Sequence, residues 1–245
     1  MAGMASGDAP RDLLSASAPE GASPAPDVAI PAATVVLLRD APGGVSTLML
    51  HRSSKVAFGG MWVFPGGRVD PGDHAPGDAD DLGPARRAAV REAVEEAGLR
   101  LEPHELVPIS HWTPPPLTPR RYLTWFFVAR AGDGDVVVDG HEIHDHAWLT
   151  PAEVLERRDR GEVVLAPPTF VTLSHLLRAR DVDDAVHAAR SRPPHRYATR
   201  WATTGVGAVA MWQGDAGYEA EDPDAAGPRH RLWMGTDAWR FEQTP

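Results

Sequence analysis

Three glutamates in the segment REAVEEAGL, residues 91–99, have the spacing of one helix face. At 100° per residue, Glu92, Glu95 and Glu96 fall within an arc of about 100°. The apolar residues of this helix lie on its opposite side: Val90, Ala93, Val94 and Ala97. Neighbouring carboxylates repel one another, and hard oxygen ligands suit Mg²⁺ or Mn²⁺. The spacing therefore predicts a divalent cation site, and the alternative is a solvated acidic face paired with Arg87 or Arg91.

A glycine pair lies upstream of the helix. Gly66 and Gly67 follow Phe64–Pro65 in a segment with too many glycines and prolines for a helix. A glycine backbone can lie close to a phosphate or to a metal-bound carboxylate. The pair is therefore predicted to form a loop that approaches the metal site.

The segment REAVEEAGL resembles the helical half of the Nudix signature, which has arginine, three glutamates and glycine at fixed positions. Arg91, the three glutamates and Gly98 occupy all five positions. Upstream, the family places a glutamate at the position of Asp73. Seven residues separate that glutamate from the arginine in the family, whereas seventeen separate Asp73 from Arg91 in this chain. The simplest interpretation is an insertion of ten residues, HAPGDADDLG or its neighbours, which costs little loop-closure entropy. The change from glutamate leaves the role of Asp73 open.

This resemblance implies the chemistry of the site. Glu92, Glu95 and Glu96 would bind Mg²⁺ or Mn²⁺, and Arg91 would orient a helix carboxylate. Water activated by the metal would attack one phosphorus of a nucleoside diphosphate derivative. Glu95, Glu96 and Arg91 are then the expected catalytic residues. Glu142, in GHEIHDHAWLTP, is the alternative general base.

Further segments are similar to the Nudix branch that cleaves coenzyme A and acyl-coenzyme A: LMLHRSSKVAFGGMWVFPGGRVDPGD, HWTPPPLTPRRYLTWFF, and EIHDHAWLTPAEVL followed by LAPPTF. The substrate-binding residues that this similarity implies are Arg52, Ser53, Gly66 and Gly67. Arg120 and Arg121 are further candidates, because guanidinium groups bind phosphate bidentately, although strand alternation would point only one of them into the site. Coenzyme A or acyl-coenzyme A is the expected substrate. A nucleoside triphosphate pyrophosphatase and a non-catalytic nucleotide-sensing domain are the alternatives.

Strand and helix patterns must position these residues. Residues 32–52 predict a β-hairpin with APGG as its turn, and the run from Ala85 to Gly98 predicts the glutamate helix. Further strands are predicted in LVPISHW, in YLTWFFVAR and over 136–138 and 143–149. Thr150 begins a capping box that predicts a helix over 151–159. A longer helix is expected over 168–190, and RPPH then leads into a series of strands.

Three segments are expected along the chain. Residues 1–28, rich in alanine, proline and serine, are predicted to be disordered. Residues 29–165 are expected to form an α/β domain, a Nudix α/β/α sandwich with a mixed sheet, as the resemblance implies. Residues 166–245 are expected to form a helical segment and a small β appendage.

Composition excludes several classes of function. The chain of 245 residues has no cysteine, so disulfides and thiolate metal sites are excluded. Its net charge of −10 has the wrong sign for binding nucleic-acid phosphates. Its apolar stretches are too short for a membrane helix. We therefore expect a cytoplasmic protein with a small-molecule nucleotide as its partner and with neither nucleic acid nor membrane as partners, and the oligomeric state is open.

Overall fold

The structure is a computed structural model that describes residues 29–53, 59–116, 121–138, 140–205, 207–236 and 238–244. The tail that is predicted to be disordered, residues 1–28, lies outside the described residues, as does Arg120. Within the described ranges, no helix is both long enough and apolar enough to cross a membrane.

The centre of the fold is an eight-stranded mixed sheet. Its strands are β1 Ala29–Ala41, β2 Gly44–Arg52, β3 Trp62–Val63, β4 Gly66–Arg68, β5 Val107–Thr113, β6 Arg121–Arg130, β7 Ile143–Leu149 and β8 His195–Ala198. The order is β3-β2-β1-β6-β5-β8, with β4 beside β1 and β7 beside β2. The predicted hairpin is formed by β1 and β2, which pair antiparallel, whereas β1 runs parallel to β6 and β5 runs parallel to β8.

Helices cover both faces of this sheet. One face packs against α1, Leu82–Ala97, which carries the three glutamates. The other face packs against α2 Pro151–Asp159, α3 Pro167–Leu176 and α4 Val182–Arg190. Alternation along β1 serves both cores, since Leu37 points towards α1 and Leu38 points towards the other layer. The predicted α/β/α arrangement with a mixed sheet is therefore confirmed.

Helix α1 begins at Leu82, three residues before the predicted Ala85, and Gly98 ends it in a left-handed conformation with φ 68°. Its buried face is made of small side chains: Ala85, Ala88, Ala89, Ala93 and Ala97. Two positions differ from the helical-wheel prediction, because Val94 is 42% exposed and Glu96 is only 4% exposed. Short alanines let the helix lie close to the strands, and that closeness encloses Glu96.

The helices that follow α1 match the helices predicted from the sequence only in part. Thr150 begins α2 as predicted, because its hydroxyl accepts a hydrogen bond from the Glu153 amide at 3.3 Å while Glu153 accepts one from the Thr150 amide at 2.7 Å. The single helix predicted over 168–190 is wrong, because the chain breaks between α3 and α4. Asp181 caps α4 there by accepting from the Asp184 amide at 2.7 Å.

The strand predicted over 136–138 is also wrong. The amide of Val137 donates to the Ala97 carbonyl at 2.9 Å, so this segment packs on the end of α1 instead of joining the sheet. Val136 and Val138 contact the core under α1 from that position. Three adjacent valines therefore form a loop here, in which Val136 and Val138 are half-buried and Val137 is 67% exposed, and β-propensity alone does not separate such a loop from a strand.

A second, four-stranded sheet follows β8. Its strands are β9 Arg200–Thr204, β10 Gly207–Met211, β11 His230–Gly235 and β12 Trp239–Gln243, and all neighbours are antiparallel. Ala208, Trp212 and Leu232 pack into the same core as the central sheet and α2–α4. The strands predicted after RPPH thus pair with one another, and the division of the chain at residue 165 stays a prediction.

Candidate functional site

The glycine pair and the glutamate helix meet where β4 lies beside α1. The Gly66 amide donates to Oε2 of Glu96 at 2.9 Å. A Cβ at Gly67 would overlap the carboxylate of Glu92, and a Cβ at Gly66 would overlap the backbone of β1. The pair forms a short strand and not the predicted loop. Close approach, and not a turn conformation, is therefore the reason for glycine at both positions.

Arg91 connects the carboxylates of this site. Its Nη1 donates to Oε1 of Glu92 at 2.8 Å and to Oε2 of Glu95 at 2.9 Å. On its other side, Nη2 donates to the Arg68 carbonyl at 2.9 Å and to Oδ2 of Asp73 at 3.0 Å. The hydrogen bonds to Asp73 and then to Glu92 raise the pKa of Arg91 above its ordinary value. Arg91 therefore stays charged and contacts two of the three glutamates, and its orienting role in the reaction stays a prediction.

Asp73 holds the position of Arg91. It ends the 3-10 turn Pro71–Asp73, is buried, and also accepts from the Asp70 amide at 2.8 Å. Burial opposes its ionisation, but the hydrogen bonds from Arg91 and Asp70 keep the Asp73 pKa below its usual value. Sequence reasoning left this residue without a role. The only signal for it was its place at the fixed distance after the glycine pair.

The segment that is interpreted as an insertion lies between Asp73 and α1. After Asp73, the chain runs through residues 74–81 and returns to α1, where Arg87 donates to Oδ1 of Asp78 at 2.7 Å. Arg87 also donates from Nε to the Asp73 carbonyl at 2.5 Å. These contacts close the inserted segment on itself, so that Asp73 and Arg91 meet across seventeen intervening residues.

A second arginine joins Glu96 to Glu142. Arg52, the last residue of β2, donates to Oε1 of Glu96 at 3.2 Å and to Oε2 of Glu142 at 2.7 Å. Its Nε is buried and has no hydrogen-bond partner among the described residues. The Glu142 carbonyl accepts from the Ser53 amide at 2.7 Å, which fixes the loop before β7 against the end of β2. An unpartnered buried N–H is costly and favours an acceptor at this position.

Burial makes the charges of this cluster unfavourable without a cation. It raises the pKa of Glu96 to about 7, although the Gly66 amide and Arg52 act in the opposite direction. The pKa of Glu92 is also raised by burial, against the effect of Arg91. Added positive charge would lower both values and stabilise the carboxylates.

The donor set fits a hard divalent cation. Glu92, Glu95 and Glu96 offer only carboxylate oxygens, which suit Mg²⁺ and Mn²⁺, and Gly67 leaves the space that Glu92 needs. Within the described residues, however, no three acidic or histidine side chains are gathered as a ready-made metal cluster. Arg91 and Arg52 instead form ion pairs with these carboxylates. A cation therefore has to compete with the guanidinium groups for these oxygens.

The remaining predicted residues lie in different places. Ser53 is buried beside Arg52, where its amide is bound by the Glu142 backbone. Arg121, the first residue of β6, donates to the Pro114 carbonyl at 3.4 Å. Arg120 lies outside the described residues. The structure therefore brings Arg52, Ser53 and both glycines to the glutamates, and the phosphate-binding role of Arg120 and Arg121 stays a prediction.

Comparison with known proteins identifies the family of this arrangement. The model of the NUDIX domain matches residues 29–167, from the first strand to the start of α3. The chain belongs to the Nudix family. A crystal structure of a Nudix hydrolase from Alicyclobacillus acidocaldarius shares the fold, with a TM-score of 0.59 and 24% identity over 69% of this chain and 99% of that one.

Two curated Nudix relatives match part of their own length. A Caenorhabditis elegans protein named as a nudix hydrolase is 26% identical over 173 residues, which are 56% of this chain and 57% of that protein. The acyl-coenzyme A diphosphatase NUDT19 of Gallus gallus is 32% identical over 124 residues, which are 48% of this chain and 32% of that protein. The chain therefore spans about half of one relative and a third of the other.

Proposed function

We propose that this Nudix chain is a metal-dependent hydrolase that cleaves the diphosphate linkage of a nucleoside diphosphate derivative. One observation carries the proposal: the buried Glu96 accepts from Gly66 and lies beside Arg52, whose Nε lacks a partner among the described residues. Desolvated carboxylates favour a cation, and a guanidinium with an open N–H favours a phosphate oxygen. A cation and a phosphate are the two components of metal-assisted phosphoryl chemistry.

Each side chain has a role in that chemistry. Glu92, Glu95 and Glu96 would hold Mg²⁺ or Mn²⁺, which when bound activates water and neutralises charge on the diphosphate. Arg91, fixed by Asp73 and the Arg68 carbonyl, orients Glu92 and Glu95. Preorganised charge of this kind acts without reorganisation during the reaction.

Proton acceptance is assigned to Glu95. Its side chain is 56% exposed, and among the described residues only its Oε2 accepts a hydrogen bond, from Arg91. Both oxygens of Glu96 already accept hydrogen bonds, from Gly66 and Arg52, which suits a ligand better than a base. Glu142 is the second choice, because Arg52 holds its Oε2 and connects it to Glu96. A base needs an oxygen within hydrogen-bond reach of the attacking water.

Coenzyme A or acyl-coenzyme A is the proposed substrate. Support comes from the similarity to the acyl-coenzyme A diphosphatase of Gallus gallus and from the position of Arg52 and Ser53 beside the glutamates. Arg120 and Arg121 are proposed as further phosphate ligands. Hydrolysis of the diphosphate in coenzyme A would release phosphopantetheine and adenosine 3′,5′-bisphosphate.

Product analysis tests this proposal. The full chain is incubated with Mg²⁺ or Mn²⁺ and with coenzyme A, acetyl-coenzyme A, nucleoside triphosphates or NADH, and products are identified by mass spectrometry. Phosphopantetheine with adenosine 3′,5′-bisphosphate is expected. Pyrophosphate released only from a nucleoside triphosphate would instead indicate a pyrophosphatase. Tight nucleotide binding with no cleavage of any substrate would overturn the hydrolase proposal and favour a nucleotide sensor.

A further inference from the structure

A cavity lies on the face of the central sheet opposite to α1, away from the glutamates. We propose that it binds a small organic acid, with an apolar body of about one ring and a single anionic group. The cavity is formed by α3, α4 and the strands β5, β6 and β8, and it has a volume of about 200 Å³. The sheet separates it from the glutamates, so this site does not depend on the proposed hydrolase function.

The size and the walls of the cavity limit the ligand. Ile109, Trp112 and Val128 line it from the sheet, and Val171 and Leu176 line it from α3. A dry apolar cavity of about 150 Å³ is large enough for benzene, so this volume can take one ring and a carboxylate. Drug-sized molecules need more room than this. A benzoate-like or short-chain acid therefore fits, whereas a nucleotide does not.

A buried histidine nitrogen without a hydrogen-bond partner among the described residues indicates that the ligand carries a polar group. His195 lines the cavity, and its buried Nε2 has no hydrogen-bond partner in the part of the chain that the structure describes. His175, which also lines the cavity, lies with its Nε2 3.1 Å from the Tyr197 hydroxyl. Buried polar atoms are almost always paired in folded proteins. A ligand oxygen beside His195 would supply the missing partner.

The charge around the cavity favours an anion. Arg178 and Arg192 line it, and neither forms an ion pair with a described residue. The carboxylate at its edge, Asp184, is already compensated, because Arg180 donates to it at 2.6 Å. In a chain with net charge −10, two open guanidinium groups at one cavity are a local excess of positive charge. Arginine binds a carboxylate or phosphate group by paired hydrogen bonds.

The histidines support the same conclusion. Burial, followed by the neighbouring His195, Arg192 and Arg178, lowers the pKa of His175 to about 4. His195 is shifted in the same direction by burial and then by Arg192 and His230. Both pKa shifts favour the neutral imidazole, and Asp184 is the only acidic side chain among the described residues that line the cavity.

Binding of defined probes tests the cavity. Benzoate and phenyl phosphate are titrated into the full chain without metal or nucleotide, and benzamide is the uncharged control of the same shape. The indole N–H signal of Trp112 is followed by NMR, with Trp125, which packs on the α1 side, as the internal control. We expect saturable shifts at Trp112 with one or both acids, little change at Trp125, and weak binding of benzamide. The stronger of the two acids identifies the anionic group.

Two arginine variants decide the role of the charge. Arg192→Gln should weaken the binding of the acid about tenfold, a difference equal to roughly 1.4 kcal/mol. Arg190→Gln, at an exposed position of α4 that does not line the cavity, removes the same charge and should leave binding unchanged. Thermal unfolding checks that both variants fold.

Three results would overturn the proposal. They are the absence of saturable binding of either acid at millimolar concentration, equal binding of benzamide, and equal loss of binding in the two arginine variants. Because no metal or nucleotide is present, none of these results bears on diphosphate hydrolysis. Conversely, a protein that cleaves no diphosphate could still bind the acids.

Discussion

Asp73 shows how one carboxylate can serve a site without touching the reacting groups. It holds Arg91 from the side away from the glutamates, with Oδ1 3.3 Å from Nε and Oδ2 3.0 Å from Nη2. Arg91 then directs two N–H contacts from Nη1 towards Glu92 and Glu95. Asp73 is therefore a positioning residue. The 3-10 turn Pro71–Asp73 places this carboxylate within reach of Arg91 on α1.

Replacement of Asp73 tests this role. Asp73→Asn keeps the size of the side chain but removes one charge-assisted acceptor, so we expect kcat to fall about 10-fold to 100-fold with little change in KM. Asp73→Glu should restore part of the activity, which a merely structural role would not predict. Asp81→Asn, at the exposed residue before α1, is the matched control. Steady-state kinetics with the cleaved substrate gives both constants, and an unchanged kcat in Asp73→Asn would contradict this role.

The short strand β4 places the glycine pair against α1 at a distance that excludes any side chain. A Cβ at Gly67 would overlap the Glu92 carboxylate, whereas a Cβ at Gly72 would meet nothing within 4 Å. Gly67→Ala should therefore displace the Glu92 carboxylate and lower kcat at least tenfold, with little loss of stability, because that carboxylate is the end of a flexible side chain. Gly72→Ala, an exposed position five residues on, should change neither. Hydrolysis rates and urea unfolding measure the two effects, and equal behaviour of the two variants would show that the close approach is unimportant.

The layer of α3 and α4 contains a histidine that should make stability depend on pH. The pKa of His175 is about 4 in the folded protein, below its ordinary 6.5, because the side chain is buried among positive neighbours. Between these pH values the unfolded chain binds more protons at this residue than the folded protein does. His175 therefore leaves the free energy of unfolding unchanged above pH 6.5 and lowers it progressively as the pH drops towards 4. His175→Gln should flatten this part of the profile, and His187→Gln, at an exposed position of α4, should not. Urea unfolding at several pH values measures it, and parallel profiles for wild type and His175→Gln would exclude this source.

The chain places two different chemistries on the two faces of one sheet. The α1 face carries carboxylates that favour a cation, and the opposite face carries open arginines around an apolar cavity. The four-stranded C-terminal sheet packs on the second face and contributes to its core. Its buried pair, in which Arg231 donates from Nε to Oδ2 of Asp215 at 2.7 Å, fixes the loop before β11. A buried charge of this kind is tolerated only when its partner of opposite charge is present.

Local patterns were sufficient for most elements. The hairpin of β1 and β2, the capping box of Thr150 and the Gly98 cap each depend on residues that are near neighbours in the chain. The glutamates and the glycine pair were found in the same way, because their signature is a fixed spacing. Such features need no knowledge of tertiary contacts.

The features that were missed depend on residues far apart in sequence. The contact of Asp73 with Arg91 spans an insertion, and the burial of Glu96 requires β4 to lie against α1. The break between α3 and α4 is stabilised by Asp40, which accepts from the Val182 amide at 2.8 Å across 142 positions. No pattern of neighbouring residues in the sequence predicts these partners. A carboxylate on a predicted polar helix face can therefore be buried when a distant amide meets it.

Cation binding by the glutamates of α1 is what the proposed hydrolysis requires. It is tested by the rate of cleavage as a function of Mn²⁺ concentration in wild type, Glu95→Gln and Glu96→Gln, with Glu156→Gln, exposed on α2, as the control. We expect no cleavage by wild type after chelation, a saturable response to Mn²⁺, and a loss of about 10²-fold to 10⁴-fold in each of the first two variants. Cleavage that persists after chelation, or full activity in both Glu95→Gln and Glu96→Gln, would contradict this role of the glutamates.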